Sequence, residues 1–438
     1  MCHIASILVA IALGAASAGA GNAQTSVDIR AGDIVLRGGW LFDATGDARQ
    51  RNTGIVIRNG ALFAVGADLR RADLSVARVI DVAEQETVVP GFFDLHAHYA
   101  VDLFGEGRVD EYEVNPVVFL ANGVTSTFPA GEVDPEGMRA AREAIAAGTQ
   151  PGPRLEALIG QAHRHGLTVT GHLDSGFRNS VNPRDAILMG IDRIEHFSGG
   201  DAIVADRSAY ASLEALDVTI PAVRKQFRLF LEHGVFYDAT ITAYGYFGER
   251  DPEIYTRWYD EMALLTPHAQ RSRPACPGES MLSSNASTTS NSRRSRRSTM
   301  LAVRHTSRLG TDHPSWGEFF SGFGPHRELH ALVKAGLPPA AALRIATING
   351  ARALGVSDRL GTLEPGKYAD LVIVRGNPLE DIRTTHDIRL VIRAGEVFDP
   401  EKLLDSVRGT LGPASTADEH RWKGTLRYAA SDNEGSAR

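Results

Sequence analysis

The sequence predicts an α/β protein: a (β/α)8 TIM-like barrel with a small composite β-sandwich domain built from both chain ends. Two observations carry this. Both ends are written in short extended runs, "DIVLRGGWLFDA", "TGIVIRNGALFAVG" and "ARVIDVAEQETVVPG" from Asp33 onward, then "GTLEPGKYADLVIVRG" and "DIRLVIRAGEVFD" late in the chain. Between them, apolar strand-like runs alternate with helical stretches, the pattern of βα units and a parallel sheet.

In chain order, residues 1–23 hold an apolar run from Ile4 to about Leu13 followed by small residues, Ala18-Gly19-Ala20 or Gly21-Asn22-Ala23. That is the pattern of a signal peptide, so the expectation is a secreted or periplasmic protein with no stable membrane insertion after cleavage. The run falls short of the roughly 20 apolar residues that span a bilayer. Residues 24–89 and 360–404 form the composite β-domain, with Gly38-Gly39 and Asn59-Gly60 as turn signals. Residues 90–359 form the barrel, with helices expected at "PEGMRAAREAIAAG", "RDAILMG" and "AVRKQFRLFLEHG" and strands at "LTVTGHL", "IDRIEHF" and "VFYDATITAY". Within it, 271–299 is rich in Ser and Arg and has no apolar periodicity, so no packed element is expected there. Residues 405–438 form a polar C-terminal tail, expected to be loose after about Gly412.

Composition narrows the function. A chain of 438 residues, 43% hydrophobic and 23% charged, is ordinary globular material. Its formal net charge of -7 gives no reason to expect nucleic acid or an anionic membrane as partner. A small-molecule or peptide substrate fits better, and a homo-oligomer is compatible with this composition. The two cysteines, Cys2 and Cys276, suffice for neither a disulfide scaffold nor a cysteine metal cage.

Histidines carry the chemical signal. "VVPGFFDLHAHY" ends a buried strand on His96 and His98, and period two turns both rings to one side, where they can grip one ion. His172 in "TVTGHLDSG", His196 in "IDRIEHFSGG" and Asp312 in "SRLGTDHPSWGEF" close other strands. In a βα barrel the chemistry sits at those C-terminal ends. A lone histidine there is more often a satisfied polar residue, but four such strand ends in one array point to a metal centre. His163 and His165 read as helix-surface residues, and His326 and His330 as members of an amphipathic helix, "RELHALVKAG". Tyr244, Tyr246 and His313 are candidate substrate-facing residues, and Arg154 a candidate carboxylate binder.

The order His96-x-His98, His172, His196, Asp312, with "PGFFDLHAH" before and "ATINGARALGVSDRLGTLEPGKYADLVIVRGNPLEDI" after, resembles the metal-dependent amidohydrolase superfamily. The most similar branch contains imidazolonepropionase-like and Xaa-Pro dipeptidase-like amidohydrolases, and the resemblance runs from Asp33 to about Leu404. It implies a distorted barrel beside the β-domain, with His96 and His98 on the more buried of two ions and His172 and His196 on the more exposed one. Asp312 would touch the first ion and act as general base, then acid, on a water whose pKa the metal lowers to about 7. The implied cofactor is a divalent metal, zinc by donor type, one ion or two.

One departure matters. Two-metal members bridge their ions with a carboxylated lysine between His98 and His172, and this chain has no lysine before Lys225. Residues 99–171 are also too few for four βα units of roughly 30 residues each, so the third strand, its helix and the fourth strand are expected to be missing at the junction Arg154-Leu155. A one-metal site of His96, His98, His172 and Asp312, with His196 orienting the water, survives that loss, and Glu132 is a weak substitute bridge. The expectation is a hydrolase of C–N bonds in amides, cyclic amides or dipeptide-like substrates. Its rival is an impaired homologue that binds at most one metal.

Overall fold

The computed structural model describes residues 27–104, 107–130, 134–155, 169–173, 181–196, 220–238, 240–242, 261–272, 306–312 and 322–424. The expected signal peptide lies outside them. Among the described residues no helix is long and apolar enough to cross a membrane.

Both chain ends share one β-structure. Strands β1 (Ile34–Arg37), β4 (Ile55–Arg58), β5 (Ala61–Val65) and β6 (Arg78–Asp81) make a sheet in the order β5-β4-β1-β6. A six-stranded sheet combines β2 (Trp40–Leu41), β3 (Gln50–Arg51) and β7 (Glu86–Pro90) with β16 (Leu371–Arg375), β17 (Ile388–Arg393) and β18 (Glu396–Phe398). Its seam is β7 against β16, antiparallel from Leu371↔Pro90 to Arg375↔Glu86. Leu36, Ile55, Ile57, Val88, Leu371, Ile373 and Ile392 fill the space between the sheets. The Asn59-Gly60 signal is a hairpin turn in which both residues take positive φ, 51° and 78°, as a type I′ turn needs.

The middle of the chain is parallel. β8 (Phe92–Ala97), β11 (Val124–Pro129) and β12 (Arg154–Leu155) form one sheet, and β13 (Thr170–His172), β14 (Arg193–Glu195) and β15 (Phe236–Asp238) another; β9 (Ala100–Val101) and β10 (Val109–Asp110) pair in the loop after β8. Segment 306–312 joins the two sheets. Ser307 bridges to Tyr237 in parallel, while Leu95 N donates to Leu309 O at 2.9 Å and Asp312 N to His96 O at 2.9 Å. The result is a curved parallel run, β12-β11-β8-(306–312)-β15-β14-β13. No closed barrel is found among the described residues, and the chain between β12 and β13 lies outside them up to Val169.

Local chemistry sets the helix starts. Pro135–Ala146 opens with Pro at its first position and Asp134 accepting from Gly137 N; Pro183–Leu188 repeats this with Asn182 accepting from Asp185 N. In Pro221–Glu232 the buried set Val223, Gln226, Phe227 and Phe230 is a stripe at helical spacing. Fully burying each of its two phenylalanines contributes about 1.5–3 kcal/mol.

Three expectations need correcting. Arg154-Leu155 pairs in register with Ser126 and Thr127, so the start of the third strand is kept. The tail is packed well beyond residue 405. The helix Pro400–Val407 crosses that boundary, Leu411 is fully buried against Leu264 and Leu265, and Trp422 lies against the same cluster. The Ser/Arg stretch loses its first two residues to the helix Pro267–Ser272; the rest of it lies outside the described residues.

Candidate metal centre

The strand ends bring five predicted side chains together. His96 sits inside β8 and is fully buried, and His98 lies two residues on, 4% exposed. His172 ends β13, His196 follows β14, and Asp312 closes segment 306–312. Ring centroids are 4.9 Å apart for His96 and His172, 4.7 Å for His96 and His196, and 4.8 Å for His172 and His196. Ligand atoms of His96, His172 and His196 lie within 4.8 Å of one another, as do those of His96, His98 and Asp312. Asp312 Oδ1 is 2.8 Å from His98 Nε2 and 3.5 Å from His96 Nε2, and its Oδ2 is 3.7 Å from His196 Nε2.

The backbone is turned to achieve this. His196, Thr240 and Asp312 have φ of 62°, 39° and 55°, a left-handed region that costs non-glycine residues of order 1–3 kcal/mol each. His196 follows directly on β14, where a left-handed residue ends the alternation of side chains. That is how neighbouring Glu195 and His196 both reach the site.

A second tier of charges lies beneath. Glu195 Oε2 is 2.9 Å from His96 Nδ1. Because a carboxylate can only accept, Nδ1 carries a hydrogen, and Nε2 is the nitrogen that can bind an ion once it gives up its own proton. Arg308 Nη1 is 2.9 Å from Asp238 Oδ2, and Nη2 donates to Glu195 Oε1. Thr240 Oγ1 is 2.6 Å from His196 Nδ1. Asp94 accepts from His96 N, Thr311 N and Thr311 Oγ1, which pins segment 306–312 to β8.

Electrostatics follows from burial and pairing. Burial opposes charge on His96, yet Asp312, Glu195 and Asp238 together hold its pKa well above the usual imidazole range. Burial lowers His98 to about 4 and lowers His196 as well, and partial desolvation of the ring lowers His172, an exposed residue at the end of β13. Asp312 is also buried, but His96 and His98 hold its carboxyl well below the usual range. Burial raises Asp94 to about 6 and Asp238 to about 7.

These residues fit a divalent ion. His96 Nε2 is buried with no hydrogen-bond partner, an orphan atom of the kind that native interiors avoid. Imidazole nitrogen with a carboxylate oxygen is a donor set that suits zinc, manganese and iron alike.

Other predicted residues fall elsewhere. Arg154 is not at the cluster: it stands at the start of β12, and its guanidinium is taken by both oxygens of Asp370 in the loop before β16. The expected carboxylate binder thus has a carboxylate of its own chain. Tyr244, Tyr246, His313, Glu132, His163 and His165 lie outside the described residues. The helix Gly324–Lys334 is buried through Leu332 instead of amphipathic, and His326 Nδ1 sits 3.2 Å from Thr385 Oγ1. Sequence reasoning missed Glu195, Asp238, Arg308 and Arg108, whose Nη1 is 3.4 Å from His98 Nδ1. For Asp238 a signal existed, since it is a carboxylate at the last position of the aromatic strand Phe236–Asp238, whereas Glu195 ends a strand that already carries Arg193.

Comparisons with known proteins agree with this arrangement. The model of the amidohydrolase family matches residues 161–398, more than half of the chain. A 5-methylthioadenosine/S-adenosylhomocysteine deaminase of Teredinibacter turnerae is 50% identical over 46 residues, 10% of each chain. Adenine deaminase 4 of Rhizobium meliloti is 37% identical over 93 residues, 19% of this chain and 15% of that one. The aligned stretches thus span a small part of these relatives' length. Among solved structures, a Xaa-Pro dipeptidase with bound methionine superposes with a TM-score of 0.59 at 19% identity, covering 84% of this chain and 100% of that one. Molinate hydrolase does so at 0.64 and 18%, covering 89% and 99%. Such likenesses speak for the fold alone, a barrel-like α/β body with a separate β-domain. With its histidines and aspartate converging at strand ends and the family's model matched across more than half its length, the chain belongs to the amidohydrolase family.

Proposed function

We propose that the protein is a metal-dependent hydrolase of C–N bonds in small amides, cyclic amides or dipeptide-like molecules. The observation that carries this is the convergence of His96, His98, His172, His196 and Asp312 around the bare Nε2 of His96. A divalent ion, zinc by preference, supplies Lewis acidity and a water of lowered pKa when bound. The chain's residues do the rest. Asp312, held as a carboxylate by His96 and His98, accepts the proton of the attacking water at Oδ and returns it to the leaving nitrogen as the C–N bond breaks. His196, its Nδ1 tied to Thr240, keeps its ring facing the same space. His96 has one free nitrogen for both ligand groups, which favours one ion over two.

A second reading, an impaired homologue that binds at most one ion without turnover, is favoured by the missing lysine between His98 and His172. Metal content per folded monomer, on tag-free protein and on His96→Ala/His98→Ala, decides the first step. Close to one ion, lost in the variant, together with release of amine from a panel of N-acyl amino acids and dipeptides, supports the hydrolase. An ion with no turnover across the panel supports the second reading, and no ion in folded wild type ends the hydrolase and leaves the impaired homologue. Export through residues 1–23 belongs to the same proposal and is read from the N-terminal sequence of protein recovered outside the cytoplasm.

A further inference from the structure

A third group of ligand-type atoms also converges on His96: its ring nitrogen with Glu195 and Asp238, all within 4.8 Å of one another. Its two carboxylates already share a cation. Arg308 reaches Asp238 Oδ2 at 2.9 Å with Nη1 and Glu195 Oε1 with Nη2, and Nη1 also donates to Leu95 O at 2.9 Å. His96, Glu195, Asp238 and Arg308 are each at most 2% exposed. A planar guanidinium is suited to hold two carboxylates at once. Thr170 Oγ1 adds a further hydrogen bond to Glu195 Oε1, so that carboxylate is gripped on three sides, by β13, by β8 and by segment 306–312.

The geometry points to Arg308 as a positioning residue and resident cation beneath the metal centre: it closes the His96–Glu195–Asp238 group to a metal ion and holds Glu195 where it keeps His96 Nε2 facing the ion. Arg308 touches neither substrate nor ion. It acts through Glu195 on His96, and through Leu95 O on the spacing between β8 and segment 306–312. The inference rests on the metal-centre reading above and concerns a residue which that reading does not use.

The test is a Co²⁺ titration of metal-free, tag-free protein, read as stoichiometry, affinity and visible ligand-field bands. Arg308→Ala removes the internal cation, and the variant is expected to take up one more equivalent than wild type. Adding Glu195→Gln and Asp238→Asn should abolish that extra equivalent. Glu195→Gln alone puts an amide between two donors, His96 Nδ1 and Arg308, and should weaken the wild-type ion about tenfold or more with shifted bands. Arg308→Lys, which keeps the charge but not the fork, should fall between wild type and Arg308→Ala. If Arg308→Ala does not fold by circular dichroism, the uncharged Arg308→Met/Glu195→Gln/Asp238→Asn variant is titrated in its place, and weakened binding is expected. Wild-type stoichiometry, affinity and bands in Glu195→Gln and in the Arg308 variant would overturn the inference while leaving the metal centre standing. Absence of Co²⁺ binding by wild type overturns the metal centre itself, and this inference with it.

Discussion

His96 Nδ1 lies 2.9 Å from Glu195 Oε2, both side chains shut away from solvent. The contact decides which face of the imidazole is chemically available, and it leaves Nε2 3.5 Å from Asp312 Oδ1. On the proposed reading, ligands and a charged base are therefore in position before any substrate arrives.

Asp312 is the residue to change first. Asp312→Asn keeps the volume but removes the proton acceptor. With the proposed activity assayed, kcat should fall by about 10²–10⁴, while the four histidines retain the ion. Metal content measured alongside the kinetics separates loss of the base from loss of the site. Equal kcat in the two proteins would remove Asp312 from the chemistry.

Segment 306–312 can approach β8 so closely because residue 310 is glycine. A Cβ there would stand 2.5 Å from Asp238 Oδ2 and 2.6 Å from His96 Cβ. Both neighbours are locked in the charged tier, so neither can yield cheaply. Gly310→Ala should lose about 1–3 kcal/mol of stability by overpacking and weaken the ion site as His96 is displaced. Denaturant unfolding and metal titration of one sample read both effects.

How far the site was legible depended on where each residue's partners lie. His96, His98, His172, His196 and Asp312 stood out because each ends an apolar run, and strand-end position depends on local pattern alone. That the two chain ends make one β-structure was legible from the short extended runs they share, although the pairing of β7 with β16 was not. Arg308 was not, because an arginine beside "LGTD" looks exposed until Glu195 and Asp238, 113 and 70 positions away, are seen to face it. Arg154 misled in the opposite direction. Its partner Asp370 is 216 residues off, and nothing near Arg154 in the chain announces that pairing. The tail beyond Gly412 was misjudged on composition, as Trp422 packs against the cluster of Leu264, Leu265 and Leu411.

Glu328 offers a pH test away from the ligands. It is buried and accepts from Ile241 N at 2.8 Å and from Thr242 N and Oγ1 at 2.9 Å, holding the loop that carries Thr240. Burial raises it from 4.5 to about 7. Between those values the folded protein binds a proton that the unfolded chain does not, so the stability it contributes is complete below 4.5 and is lost as pH rises through 7. The loss is on the order of 3 kcal/mol. His98, lowered to about 4 from 6.5, works in the other direction: its contribution is present above 6.5 and lost as pH falls through 4. The readout is therefore the difference between wild type and Glu328→Gln, followed by denaturant unfolding across this range. Wild type should lose stability relative to the variant as pH rises, and a flat difference would sink the assignment.

Arg154 and Asp370 form a bidentate pair, with Nη2 3.0 Å from Oδ1. Their side chains are 23% and 4% exposed, and Asp370 Oδ1 also accepts from Ala394 N. The pair clamps the start of β12 to the β-domain, so its role is structural and its energetics are those of a mostly buried ion pair. Removing one partner strands the other. Arg154→Met leaves Asp370 uncompensated and should cost about 2–4 kcal/mol, as should Asp370→Asn. The double variant should cost less than the sum, with a coupling of about 1–3 kcal/mol. Activity discriminates this from substrate recognition: were Arg154 to bind a substrate carboxylate, KM for dipeptides would rise in Arg154→Met while KM for their C-terminal amides stayed put. The structure instead predicts that the ratio of the two KM values is the same in variant and wild type, because the guanidinium stands at the start of its strand and the ligands stand at the ends of theirs.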